Sequence, residues 1–222
     1  MKYSDLANMI DHSLLQPNLT DYEVAEGINL ALRYGVYSVM VRPTHVSFAK
    51  ELVTSSSLKV ATVVGFPFGY SLPEVKGLET QIAAMQGVDE IDMVLNIGAL
   101  KSKNYNNVVK EIELVKKYAE SRPLKVILET AYLTNEEIEQ GCWLSEQSGA
   151  NFVKTSTGYA PEGAKIDHVK LMRESVSKKV AVKAAGKIRT LDSVLEFYEA
   201  GATRFGLTAT EDILNDFISR NA

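Results

Sequence analysis

The chain holds one cysteine, Cys142, and three histidines, His12, His45 and His168, scattered along its 222 residues. A single thiol closes no internal disulfide, and neither a zinc-ligand spacing nor a Cys–His nucleophile pair is present. No apolar run reaches the roughly 18–20 residues that span a bilayer, and Met1-Lys2-Tyr3-Ser4-Asp5 leads into no signal-peptide core. A basic surplus is missing too. There are 24 Lys and Arg against 28 Asp and Glu, a net charge of −4, which argues against a nucleic-acid binder. These absences predict a cytoplasmic protein with neither a membrane nor a nucleic acid as partner. No G-x-G-x-x-G follows an early strand and no P-loop occurs, so nucleotide binding has no support. Phosphate-bearing small molecules stay admissible, because local donors hold them.

What is present is alternation. Strand candidates fall at 10–15, 36–41, 59–66, 90–96, 124–129, 151–155, 180–186 and 203–207. Helical patterns lie between them. Thr20-Asp21-Tyr22-Glu23 and Thr134-Asn135-Glu136-Glu137 have the capping-box form that opens a helix. Gly35 stands where the first long helix should stop. Eight strand-then-helix units, about 25–30 residues each, imply a parallel sheet with helical crossovers. The expectation is an α/β fold, a single-domain (β/α)8 TIM barrel over residues 1–222, with a doubly wound open sheet as the alternative.

Two of the strand candidates carry a lysine where an apolar run is expected. In Asn151-Phe152-Val153-Lys154-Thr155-Ser156-Thr157-Gly158 it is Lys154; in Val180-Ala181-Val182-Lys183-Ala184-Ala185-Gly186 it is Lys183. Strands covered on both faces are almost continuously apolar, so a lysine there either snorkels out or serves chemistry. In a barrel the C-terminal strand ends form the active site. The polar residues expected there are Asp11, Ser13, Arg42, Asp92, Asn96, Glu129, Thr130, Lys154, Thr155, Ser156, Lys183 and Thr208. Two lysines with acids fit covalent amine chemistry on a carbonyl compound. A lysine must be neutral to attack a carbonyl, and its ordinary pKa is about 10.4. Burial and a neighbouring cation both lower it. Lys154 and Lys183 on adjacent strands, roughly 4.8 Å apart, would supply both effects, with Asp92 moving protons.

Plainer readings stand beside these. One lysine at a strand end is usually solvated or ion-paired. Asp92 and Glu129 are each either functional or structural partners of a lysine, and Asp11 reads first as a loop cap or backbone partner. The three histidines read as surface or loop residues. Cys142 and Trp143 read as helix packing, and the helix around Lys110–Lys117 as a solvated face with i,i+4 pairs.

The motifs taken together resemble the deoxyribose-phosphate aldolase family, class I Schiff-base aldolases with a TIM-barrel fold. The carrying residues are Asp11-His12-Ser13-Leu14-Leu15-Gln16-Pro17, Val63-Val64-Gly65-Phe66-Pro67-Phe68-Gly69 and Glu90-Ile91-Asp92-Met93-Val94. Lys125-Val126-Ile127-Leu128-Glu129-Thr130 and the two lysine motifs complete the ordered set, over about residues 5–215. The resemblance implies reversible cleavage of 2-deoxy-D-ribose 5-phosphate to D-glyceraldehyde 3-phosphate and acetaldehyde, without metal or organic cofactor. It makes Lys154 the Schiff-base lysine, Lys183 the residue that lowers its pKa, and Asp92 the proton-transfer acid working through an ordered water. Asp11, Ser13 and Thr155 would line the sugar pocket. Gly158, Gly186, Lys187, Gly206 and Thr208 would surround the phosphate. A homodimer or homotetramer is implied.

Departures from the family pattern are specific. Gly186-Lys187 replaces a Gly-Gly pair, and Gly206-Leu207-Thr208-Ala209 replaces Gly-Thr-Ser or Ala-Ser-Ser. Met40 replaces a frequent cysteine, and Arg42 a small polar or aromatic residue. The tyrosine-bearing C-terminal tail of some members is absent. These changes keep two further readings open: the same chemistry on a different phosphorylated or acidic sugar, and a non-catalytic sugar-phosphate-binding protein.

Overall fold

The computed structural model describes residues 1–221. Eight parallel strands close on themselves in chain order, β1 pairing with both β2 and β8. They are β1 (Ile10–Leu14), β2 (Ser38–Val41), β3 (Lys59–Val64), β4 (Glu90–Val94), β5 (Leu124–Ile127), β6 (Phe152–Lys154), β7 (Ala181–Ala185) and β8 (Arg204–Leu207). This is the TIM barrel expected, and the open sheet is excluded by the β1–β8 pairing.

Helices alternate with the strands. They are α1 (Tyr3–Ala7), α2 (Asp21–Tyr34), α3 (Val46–Leu52), α4 (Pro73–Met85), α5 (Ile97–Lys101), α6 (Tyr105–Ala119), α7 (Asn135–Gln147), α8 (Ile166–Ser175), α9 (Leu191–Glu199) and α10 (Thr210–Arg220). Both foreseen capping boxes form. The Thr20 amide donates to Glu23 at 2.8 Å and the Thr134 amide to Glu137 at 2.9 Å. Gly35 ends α2 at φ 61°, where an L side chain would be strained. The short α5 was not foreseen. Asn96, expected at the barrel mouth, caps it by accepting from the Ala99 amide at 2.9 Å.

Residues two apart on a strand share a face, and here the faces differ in kind. Outward residues such as Ile10, Val39, Val60, Ile91, Val126 and Val153 are fully buried in one continuous apolar core beneath the helices. The inward face has only a small apolar cluster, Leu15, Met40, Ala61 and Val63. The rest of the barrel interior is dominated by charged side chains, with Val94, Ile127 and Phe152 among them.

Three structural expectations are corrected. His12 is not a surface residue. It lies buried on β1 and its Nδ1 is 2.8 Å from the Thr210 hydroxyl; His45 is also buried, 3.0 Å from Asp21. Trp143 does not pack inside the chain: Cys142 is buried, but the indole one residue on turns outward and is 54% exposed. The face of α6 is not laced by its own i,i+4 pairs either. Glu111 is buried against Lys76 of α4 at 2.6 Å, and Lys110 reaches Glu74 at 2.8 Å.

Candidate active site

The pairing register puts Lys154 directly beside Lys183, and Asp92 beside Lys125. All four side chains point inward and are buried. Asp92 Oδ2 accepts from Lys154 Nζ and from Lys183 Nζ, each at 2.8 Å, which bounds the separation of the two ammonium groups at twice that distance. Asp92 Oδ1 accepts from Lys125 at 2.8 Å.

The contacts continue around the barrel and close. Lys125 is 2.6 Å from Glu90. Arg204 bridges Glu90 at 3.1 Å and Asp11 at 2.9 Å. Asp11 pairs with Lys183, which returns to Asp92. Three carboxylates therefore alternate with three cations in a ring: Asp92, Lys183, Asp11, Arg204, Glu90, Lys125. Ser38 donates to Asp11 at 2.7 Å and Tyr37 to Glu90 at 2.9 Å, completing the carboxylates' partners. The Arg204 guanidinium lies 3.7 Å from the Tyr37 ring centroid. Buried charges must be paired, and in this ring each one is.

Lys154 is the seventh group and stands outside the ring, joined to it only through Asp92. The ring is neutral without it. A protonated Lys154 would leave one uncompensated buried charge; a neutral one would not. Burial drives its pKa down against the pull of Asp92, the Lys183 and Lys125 cations push the same way, and it settles at about 8. The neighbours behave differently. Burial lowers the pKa of Lys125, but Asp92, Asp11 and Glu90 overcome this and raise it. Burial pushes the Asp92 carboxyl up, and Lys125, Lys154 and Lys183 together hold it well below the usual range. The arrangement thus sets one amine apart from the other cations, and only its pKa falls into the range where it can be neutral near physiological pH.

Above Lys154 opens a cavity of about 340 Å³. It is lined by the expected Asp11, Ser13, Lys154, Gly158, Lys183, Gly186, Lys187, Gly206 and Thr208. Asp92 lies beneath the lysines, outside the lining. Thr155 is a correction: its hydroxyl bridges to the Ala185 carbonyl at 3.2 Å and amide at 3.1 Å, stapling β6 to β7 behind the wall. Arg42 also lies outside, donating to the Pro17 and Leu19 carbonyls at 2.8 and 2.7 Å and so fixing the loop after β1. Glu129 partners no lysine. It receives the Thr157 amide at 3.2 Å and the Thr157 hydroxyl, which shapes the turn after Lys154.

Two glycines are explained by what a side chain would strike. A Cβ on Gly206 would sit 3.2 Å from Lys183 Cε, so this position leaves room for the lysine stem. Gly186, at φ +88°, would meet Gly163 Cα at 3.1 Å, so two loops approach backbone to backbone. Lys187 donates its ammonium to the Pro161 carbonyl.

Lys125, Glu90 and Arg204 were not singled out from the sequence, nor was Arg189 at the cavity wall. Period-2 reading from the chosen residues offered a signal. Glu90 is two before Asp92 and Arg204 two before Gly206, each on the same inward face.

Comparisons with known proteins place the chain in a family. The family described as DeoC/LacD family aldolase matches residues 6–214. A protein of Macrococcus caseolyticus named deoxyribose-phosphate aldolase is 45% identical over 210 residues, 95% of this chain and 96% of its own. One of Thermoanaerobacter sp. with that name is 45% identical over 216 residues, 96% of this chain and 97% of its own. Among solved structures, a putative deoxyribose-phosphate aldolase of Coccidioides immitis superposes with TM-score 0.95 at 37% identity, covering 98% of this chain and 87% of its own. The tetrameric deoxyribose phosphate aldolase of Aeropyrum pernix gives 0.89 at 29% identity, covering 99% and 93%.

Proposed function

Since this chain belongs to the DeoC/LacD aldolase family and is an aldehyde-lyase, we propose that it cleaves 2-deoxy-D-ribose 5-phosphate reversibly to D-glyceraldehyde 3-phosphate and acetaldehyde through a Schiff base on Lys154. The observation that carries this reading is the position of Lys154, the one amine outside a neutral ring, at the floor of the cavity with a pKa near 8.

Neutral Lys154 Nζ attacks the C1 carbonyl of the open-chain sugar, giving a carbinolamine. Loss of water leaves a protonated imine. Removal of the C3 hydroxyl proton then breaks C2–C3, whose electron pair flows into the iminium to form an enamine, and D-glyceraldehyde 3-phosphate departs. Protonation at C2 and hydrolysis release acetaldehyde and restore the amine. Asp92, shared by Lys154 and Lys183, holds both side chains in register and carries protons with an ordered water. Asp11 and Ser13 at the wall meet the sugar hydroxyls, and the Lys183 cation, adjacent but committed to the ring, adds to burial in lowering the Lys154 pKa.

The phosphate lies against the glycine turns at Gly158 and Gly186, with Lys187, Arg189 and Thr208 at the rim. Backbone N–H groups in such turns favour anions. The cations Lys187 and Arg189 also support a second reading, the same chemistry on another phosphorylated or acidic sugar. The site functions within a cytoplasmic homo-oligomer.

Borohydride added during turnover of deoxyribose 5-phosphate should fix a two-carbon mass on the peptide containing Lys154. An adduct on another peptide, or none, sinks the mechanism. A substrate panel that includes the unphosphorylated sugar separates the two readings. If another phosphorylated or acidic sugar turns over faster than deoxyribose 5-phosphate, the second reading replaces the first.

A further inference from the structure

One buried carboxylate beside the nucleophile has no part in the ring. Glu129 is 2% exposed at the end of β5, the strand paired with β6. Its backbone stands at φ 56°, ψ 62°, a left-handed conformation that residues other than glycine seldom adopt and that concentrates at functional sites. Both carboxylate oxygens lie 3.2 Å from the Thr157 amide, and Oε2 also accepts the Thr157 hydroxyl. Thr157 itself lines the cavity.

A threonine hydroxyl has one proton to give and two lone pairs. Here the proton goes to Glu129, and one lone pair takes the Tyr159 amide at 3.0 Å. The other lone pair is left for the cavity. Thr157 therefore meets a substrate only as an acceptor, with a carboxylate behind it. It stands three residues after Lys154 and directly before Gly158, between the nucleophile and the turn assigned to the phosphate. C3 of the open-chain sugar falls in that interval, between C1 and C5.

Resting on the reaction proposed above, we propose that Thr157 and Glu129 form the relay that takes the C3 hydroxyl proton in the cleavage step. The O3 proton passes to Thr157 Oγ1 as the Thr157 proton passes to Glu129 Oε2. C2–C3 breaks, its electron pair enters the iminium, and O3 becomes the aldehyde oxygen of the departing triose phosphate. Water replacing the aldehyde then carries the proton from Glu129 back out through Thr157. In the synthetic direction the same proton returns to O3. The other carboxylates at the site are weaker bases. The cations of the ring hold Asp92 and Asp11 below the usual range, and Asp92 lies outside the lining. Burial instead raises the Glu129 pKa against the pull of Thr157 and Lys154, which favours taking up a proton. Asp92, in contact with Lys154, is placed for the steps at the nitrogen.

The test separates the steps that involve O3 from those that do not. Acetaldehyde alone forms the imine and the enamine on Lys154, and so exchanges its methyl protons in heavy water; no O3 takes part. Glu129→Gln keeps an oxygen for the Thr157 hydrogen bonds but has no carboxylate to take a proton. It should lower kcat for deoxyribose 5-phosphate cleavage by about 10²–10⁴-fold, with KM and acetaldehyde exchange as in the parent. Thr157→Val should do the same from the other end of the relay, and Thr157→Ser should keep most of the parent's kcat. Cleavage retained in Glu129→Gln, or exchange lost in proportion to cleavage, overturns the relay and leaves Glu129 as a brace for the turn. A parent that neither exchanges acetaldehyde protons nor forms a borohydride adduct overturns the proposed reaction, and the relay with it.

Discussion

The barrel has two interiors, and they follow opposite rules. Between strands and helices the buried residues form one continuous apolar core with few polar members, His12 and the Lys76–Glu111 pair among them. Inside the strands, a few ångströms away, seven ionisable groups are packed out of water. The outer core is the part that stabilises, at roughly 1.5–3 kcal/mol for each large side chain it buries. The inner one contributes little net stability, because desolvation consumes most of the Coulombic gain. It holds a fixed electrostatic environment in which one more proton is unwelcome. Adjacent residues of one strand belong to different interiors, so paired substitutions test the distinction.

The largest difference is expected for chemistry. Lys154→Leu should lower kcat/KM by about 10⁴-fold or more, the scale of losing a nucleophile. Its strand neighbour Val153, in the outer core, should lose stability but not turnover when cut to alanine. Retained activity in Lys154→Leu would show that the amine outside the ring is not the reacting group.

A buried ion pair outside the barrel sharpens the contrast. Lys76 donates to Glu111 at 2.6 Å and to the Val94 carbonyl at 2.8 Å, and Glu111 accepts from the Asn96 amide at 2.5 Å. The pair ties α4 and α6 to the end of β4. Lys76→Met leaves a lone buried carboxylate, so a loss of about 3–5 kcal/mol is expected by chemical denaturation. The pH profile of activity should not move. A shifted profile would mean that this pair belongs electrically to the inner ring.

How much of this was legible follows the same division. The outer core announces itself through periodicity, so all eight strands and both capping boxes could be placed from sequence. Lys154 and Lys183 stood out because each interrupts an apolar run. Lys125 begins a run instead, and Arg204 and Glu90 sit where a strand emerges from a polar turn, so they read as ordinary flanks. Their meaning lies in contacts between strands separated in sequence, from Lys125 with Asp92 at |i−j| = 33 to Arg204 with Glu90 at |i−j| = 114. No local pattern carries that information. Arg42 and Thr155 failed for the converse reason. Both lie at strand ends, but Arg42 turns to loop carbonyls and Thr155 to the next strand.

Asp11 and His12 are neighbours on β1, one in each interior, and they set the acid response. Burial lowers the His12 pKa to about 4. Unfolded, it takes a proton near 6.5. Between those values the unfolded chain binds the extra proton, so stability falls as pH drops through this window, by about 3 kcal/mol in total. Asp11 is also held below the usual carboxylate range. Burial pushes it up, but Lys183, Lys125 and Arg204 prevail. Its contribution is present above about pH 4 and is lost only in stronger acid. His12→Gln should therefore flatten the slope from pH 6.5 to 4 and leave the steeper loss below it. An unchanged slope in urea titrations would place the sensitivity elsewhere.

The smallest expected effect tests the ring itself. Lys125 touches neither the cavity wall nor Lys154 directly, yet it is one of three cations balancing three carboxylates. In Lys125→Met the ring lacks a positive charge, and Lys154 is the group placed to restore it by keeping its proton. Activity in the parent should rise with pH up to about 8, as Lys154 becomes neutral, and then level off. In the variant that inflection should move upward by about one pH unit or more, some 1.4 kcal/mol. Because Lys154 supplies the missing charge, Lys125→Met should destabilise the fold less than Lys76→Met, where no spare cation stands nearby. Val126→Ala, one residue along on the outer face, should lower stability and leave the inflection in place. If Lys125→Met loses as much stability as Lys76→Met with no shift in the profile, the ring is a structural brace, and burial alone sets the reactivity of Lys154.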